Sequence, residues 1–237
     1  MNSDLANTDF REALDIYENK YCHSDLIEIL KVGTIAQKQA ACIMLDRINN
    51  YNDAKVFISN LTGCDGKIRE AVSFRLTEFV KHNPEYFIEF YDIFLDAVTD
   101  INGNICRNTI SAISNLTDYK EFVQNFCDKL TENTLNLAQK AKNFDIQEGK
   151  YKINKEIFKL YWYLETICTF VKFINKQKLK QIFLCTILVQ DYTIREKSAK
   201  ILSLIDDNSF DDIKKQLEND NNYYVKRALK NDYHLNK

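Results

Sequence analysis

Apolar residues recur every three or four positions along almost the whole chain, with polar residues filling the intervals. That period marks amphipathic α-helices, each turning one stripe toward a core. Ile153, Ile157, Leu160, Leu164, Ile167 and Val171 form one stripe, and Phe87, Phe90, Tyr91 and Phe94 form another. The spacing predicts helices near 9–20, 25–32, 35–49, 53–62, 67–82, 84–98, 104–116, 118–142, 152–173, 176–190, 192–205, 209–219 and 222–231. Local punctuation supports these divisions. Asp25 with Glu28, and Asp118 with Glu121, have capping-box spacing, and Gly33 can close the helix that Asp25 opens. Asn83-Pro84 offers a cap followed by proline at the first helical position. The polar stretch from Asn143 to Lys150 is the longest connection and the one candidate hinge in a single domain spanning 1–237.

Composition narrows the class further. Only 5 Gly and 1 Pro occur in 237 residues, too few for the turns that sheets demand, so short connections between helices are expected. No apolar run approaches the roughly 20 residues of a membrane span, which argues against a membrane partner. The polar, acidic start from Met1 to Asp9 lacks a secretion signal and predicts a cytoplasmic protein. Seven cysteines (Cys22, Cys42, Cys64, Cys106, Cys127, Cys168 and Cys185) are spread without any CxxC, as expected for reduced, mostly buried thiols. His23, His82 and His234 lie far apart, so neither a metal nor another cofactor is expected.

The helices repeat. Asp65-Gly-Lys-Ile-Arg69-Glu-Ala, Asn104-Ile-Cys-Arg107-Asn-Thr, Asp191-Tyr-Thr-Ile-Arg195-Glu-Lys and Asn222-Tyr-Tyr-Val-Lys226-Arg-Ala each place a turn-favouring residue before an apolar residue and a cation. Gln37-Lys38-Gln-Ala-Ala-Cys is a weaker copy. Arg69 and Arg107 are 38 residues apart, while Lys38 to Arg69 and Arg195 to Lys226 are each 31. Periods in this range suit units of two helices.

These stretches resemble HEAT repeats of the armadillo-like superfamily. The resemblance implies an all-α fold, a right-handed α-solenoid of about five to six helix pairs. It also implies a ladder between neighbouring repeats, formed by a turn aspartate and an arginine early in the second helix. Carried over by position, the ladder pairs Asp65 with Arg69, Asp191 with Arg195 and Asn222 with Lys226; Arg107 fits with its turn residue displaced to Asn102 or Asn104.

Chemistry is sparse. The chain contains no GxSxG, P-loop, GxGxxG or HExxH motif, and no residue is put forward as catalytic. Asp206-Asp207 and Asp211-Asp212 read as helix-end charges rather than an acid–base pair. Charge is uneven: residues up to Asp118 hold 11 Lys and Arg against 18 Asp and Glu, and the remainder hold 21 against 16. Ten lysines and four acids fall between Lys140 and Lys180. On the predicted helix 152–173, Trp162 faces away from the apolar stripe with Tyr151, Lys155 and Phe173, flanked by Lys152 and Lys159. Those six residues are the candidate binding surface, and packing of Trp162 between repeats is the competing reading. The expected function is a non-enzymatic scaffold whose partner is another protein. The alternative is a nucleic-acid protein similar to alkyl-purine DNA glycosylases, using the basic segment 140–180; a chaperone-like role similar to the phycobilin lyases is a third analogy.

Overall fold

The computed structural model describes residues 3–63, 65–144 and 154–230. Among them the chain is helical throughout, with α1 (Ser3–Glu18), α2 (His23–Val32), α3 (Ile35–Met44), α4 (Tyr51–Ile58), α5 (Gly66–His82), α6 (Tyr91–Ala97), α7 (Gly103–Ile113), α8 (Lys120–Ala141), α9 (Lys155–Phe170), α10 (Lys176–Thr186), α11 (Tyr192–Ser203), α12 (Asp211–Glu218) and α13 (Tyr223–Leu229). Each predicted helix has a counterpart, and the differences lie at the ends. The residues from Asp145 to Lys150 of the expected hinge fall outside the described residues.

Asx and Thr side chains set most of the starts. Thr34, Asn50, Asp65, Asn102, Asn154, Asn175, Asp191 and Asn222 each accept a main-chain N–H from the first turn that follows. The cap of α7 is therefore Asn102, with Asn104 one of the residues it caps. α2 begins earlier than its capping-box spacing suggested: Cys22 is the cap, and the Asp25 carboxylate accepts the Cys22 N–H at 3.2 Å. α3 stops at Met44 because Leu45 turns extended, which lets Leu45 and Ile48 both enter the core. The expected helix 84–98 is divided. Pro84 starts a single 3-10 turn, Pro84–Tyr86, and α6 begins only at Tyr91. Phe87, Phe90 and Phe94 are nevertheless buried, while Tyr91 is half-buried, so three of the four stripe residues are core.

Contacts divide the chain into two compact units, Met1–Phe122 and Val123–Lys237, with the division inside α8. In the first unit α1 packs on α3, α3 on α5 and α5 on α7, while α2 contacts α3 and α4, and α6 contacts α7. In the second, α9 packs on α11 and α11 on α13, with α10 and α12 against α11 and α12 also against α13. α5 shows how the pattern works. Ile68, Val72, Leu76, Phe79 and Val80 are buried, whereas Phe74 is exposed on the opposite side. Edge-to-face rings link the elements: Phe57 with Phe79 (5.0 Å) and Phe94 with Phe122 (6.1 Å) in the first unit, Phe183 with Phe210 (6.0 Å) in the second. Burying a side chain of this size contributes about 1.5–3 kcal/mol, so packing between helices outweighs intrinsic helix propensity.

Candidate functional site

The repeated cation forms a rung, but with a different partner from the one the resemblance implied. Arg69 Nε donates to Asp100 Oδ2 at 2.7 Å, and Arg195 Nε donates to Asp220 Oδ2 at 2.6 Å. A second guanidinium nitrogen reaches the other carboxylate oxygen at 3.4 Å and 3.2 Å respectively. In each rung the aspartate Oδ1 also accepts the main-chain N–H two residues on, Asn102 or Asn222, at 2.8 Å. That asparagine then caps α7 or α13. The arginine of one helix thus grips the turn that launches the next helix of its row.

Asp65 and Asp191 are not the arginines' partners. Their carboxylates are engaged at their own helix starts, accepting the N–H of Lys67 (2.8 Å) and of Thr193 (2.9 Å). Arg107 stands in a different register. Arg69, Arg195, Lys38 and Lys226 each stand four residues after their cap, whereas Arg107 stands five after Asn102. Cys106 holds that register in α7, its Sγ lying 3.1 Å from the Asp100 carbonyl. Arg107 is exposed instead, and donates to Asn104 Oδ1 at 2.9 Å. Lys38 makes a lighter rung, donating at 3.1 Å to Asn60, whose buried amide also donates to the Leu30 carbonyl at 3.0 Å. Lys226 has no rung to Asn222; it places positive charge beside Asp220. Burial alone would raise the Asp220 carboxyl, but the Arg195 and Asn222 hydrogen bonds carry it below the usual range.

A second charged cluster joins α9 to α11. Lys197 bonds to Glu165, Lys200 lies 3.6 Å from the same carboxylate, and the Lys197 ammonium sits 4.8 Å from the centre of the Tyr161 ring. Burial pushes against both charges, yet their mutual contact lowers the Glu165 carboxyl and raises Lys197. Three of the paired acids have ordinary roles: Asp207 caps a short turn and bonds to Lys176, while Asp211 and Asp212 sit in the first turn of α12.

The proposed aromatic and basic face of α9 separates. Tyr151 and Lys152 lie outside the described residues. Lys155 is exposed at the start of α9, Lys159 one turn further is exposed too, and Phe173, at 48% exposure, lies past its end. Lys155 and Phe173 are roughly 27 Å apart at 1.5 Å per residue. Between them Trp162 is only 6% exposed, packed edge-on against Phe158 and Tyr161. The indole therefore belongs to the core of its unit, and among the described residues it does not join Lys155, Lys159 and Phe173 in one open surface.

The exposed apolar side chains lie elsewhere. In the first unit Ile43 and Met44 at the end of α3 and Phe74 of α5 are open, with Arg75 Nη1 donating to the Ile43 carbonyl at 2.7 Å. In the second unit Tyr192, Tyr223 and Tyr224 form a surface cluster of rings. Sequence periodicity overlooked this trio because each tyrosine sits in the first turn of a helix, where no stripe has yet begun. The thiols are free in all six described cysteines; Cys22 is exposed, Cys168 and Cys185 are half-buried, and Cys42, Cys106 and Cys127 are buried. Among the described residues no group of His, Cys, Asp and Glu is arranged to hold a metal ion, and no helix is long and apolar enough to cross a membrane.

The class these observations define is an all-helical protein of two compact units, each built of successive interlocked helices. No family model, curated protein or solved structure matches the chain.

Proposed function

We propose that the chain is a non-enzymatic protein–protein interaction scaffold, built of five to six HEAT-like helix pairs that belong to a right-handed α-solenoid. The observation that carries this reading is the recurrence of one structural rule in both units. Alternate helices pack on one another, and a cation four residues past one cap holds the turn that leads to the next. Helix pairs assembled this way leave one face of each row unpaired and available to a partner. The largest exposed apolar side chains of α3, α5, α11 and α13 lie on helices of these rows.

The test uses the full-length protein as bait in its native extract, beside a bait carrying Phe74→Ala, Tyr223→Ala and Tyr224→Ala. A scaffold captures at least one protein that the substituted bait loses. Identical capture by the two baits contradicts the reading, and so does tight, steeply salt-dependent binding of labelled duplex DNA, the behaviour of a nucleic-acid protein.

A further inference from the structure

Tyr192 opens α11, and Tyr223 and Tyr224 open α13. Tyr192 and Tyr224 stack across the two helices, with centroids 6.2 Å apart and an interplanar angle of 29°. Tyr223 meets Tyr224 edge-on at 5.6 Å. The three are 41%, 64% and 50% exposed in chain order. A single exposed aromatic is ordinary, but three contiguous rings in water mark an interaction site. Tyrosine suits a wet interface, offering a flat apolar body and a hydroxyl that hydrogen-bonds at the rim.

The platform is pre-organised. Asp220, gripped by Arg195 of α11, lies two residues before the cap of α13, so the rung fixes the first turns of the two helices together. Rings held this way lose little freedom when a partner settles on them.

Charge selects the partner. Half-buried Lys226 and Arg227 of α13, and exposed Lys230 at its C-terminal cap, follow Tyr223 at i+3, i+4 and i+7, on one side of the helix. From Lys226 to Lys230 is about 6 Å along the axis, room for one or two carboxylates. A polynucleotide needs a longer cationic track beside its stacked bases. We propose that Tyr192, Tyr223 and Tyr224, with Lys226 and Lys230, dock a short acidic segment of a partner protein. An apolar or proline side chain rests on the rings, and neighbouring carboxylates meet the two lysines. This inference rests on the scaffold reading and gives that scaffold a particular surface and partner chemistry.

The test pans a random dodecapeptide display library on the full-length protein, with the Tyr223→Ala/Tyr224→Ala double substitution for counter-selection. The enriched peptide is then titrated by fluorescence polarisation. The expected peptides carry surplus Asp and Glu beside an aromatic residue or proline. Their affinity falls about tenfold or more with the tyrosine pair removed, and about three- to tenfold with Lys230→Glu and with 0.5 M salt. Lys230→Glu leaves the rings intact, so it reads the charge contact even where the double substitution folds poorly. Peptides that are basic or neutral, peptides indifferent to these substitutions, or no enriched peptide at all overturn the docking surface. Peptides dependent on Phe74 instead leave the scaffold reading standing, whereas tyrosine-dependent binding of a labelled oligothymidylate in place of any peptide overturns both.

Discussion

Replacing Asp220 by alanine removes the acceptor that Arg195 reaches with two nitrogens, at 2.6 Å and 3.2 Å. The side chains are 17% and 9% exposed, so the pair lies close to the buried limit. There, deleting one partner costs about 3–5 kcal/mol, against at most about 1 kcal/mol at an open surface. Arg195 Nη1 keeps two other acceptors, the carbonyls of Val189 (2.8 Å) and Gln190 (2.7 Å), which holds the cost below that limit. The Asn222 N–H loses its acceptor as well. The expected loss is about 2–3 kcal/mol. A double-mutant cycle separates the two possible partners. Arg195→Met with Asp220→Ala should give a coupling of about 1.5–2.5 kcal/mol, while Arg195→Met with Asp191→Ala should give less than about 0.5 kcal/mol. Asp191→Ala alone should cost about 1 kcal/mol as a lost cap. The assay is urea unfolding at pH 7, followed by fluorescence of Trp162, the 1 tryptophan of the chain and a reporter of the second unit. Equal couplings, or a larger one with Asp191, would refute the assignment of Asp220 as the rung partner.

Three further outcomes are expected. Trp162 should emit at the short-wavelength end of the tryptophan range and resist iodide quenching, and Trp162→Ala, followed by circular dichroism, should cost about 3–5 kcal/mol in urea; a red-shifted, readily quenched signal contradicts the packing. Burial pushes the thiols of Cys42, Cys106 and Cys127 up to about 12, so a thiol reagent at pH 8 should leave all three unmodified until the protein unfolds. Exposed Cys22 should react early, and Cys22→Ser should remove one fast equivalent. Glu165 and Asp220 are held below their ordinary values, so their stabilisation is complete above the unfolded range near pH 4 and is lost as pH falls through the lower folded values. The urea midpoint should therefore drop below about pH 4, and Glu165→Gln should flatten part of that fall; a midpoint indifferent to acid contradicts both assignments.

The helices themselves were legible because their physics is local. Apolar spacing, Asx caps and the scarcity of glycine and proline all act within one turn or two, and the structure departs from them mainly at ends such as Leu45 and Phe87–Phe90. The cation of each rung was visible for the same reason, since it stands at a fixed distance from its cap. Its acceptor was not, because the hydrogen bond closes 31 residues away for Arg69 and 25 for Arg195. A nearer carboxylate, Asp65 or Asp191, competed for the role in sequence but was already committed to capping. One signal was available: Asp100-Ile-Asn102 and Asp220-Asn-Asn222 share an Asp-x-Asn spacing, and both bond alike. Trp162 allowed two readings in sequence, and the packed one holds: a helix within a row buries two sides, so the side opposite its main stripe is not necessarily free. The tyrosine trio depends wholly on α11 lying against α13, a tertiary fact with no periodicity to announce it.

Zero-length carbodiimide cross-linking of the intact protein, read by mass spectrometry, tests most directly whether helices interlock only with their neighbours. The expected products join Lys178 to Asp128, Lys176 to Asp207 and Lys197 to Glu165. Abundant links between α1 and α7, or between α9 and α13, would mean that each unit closes as a bundle, and the interlocking row would be wrong.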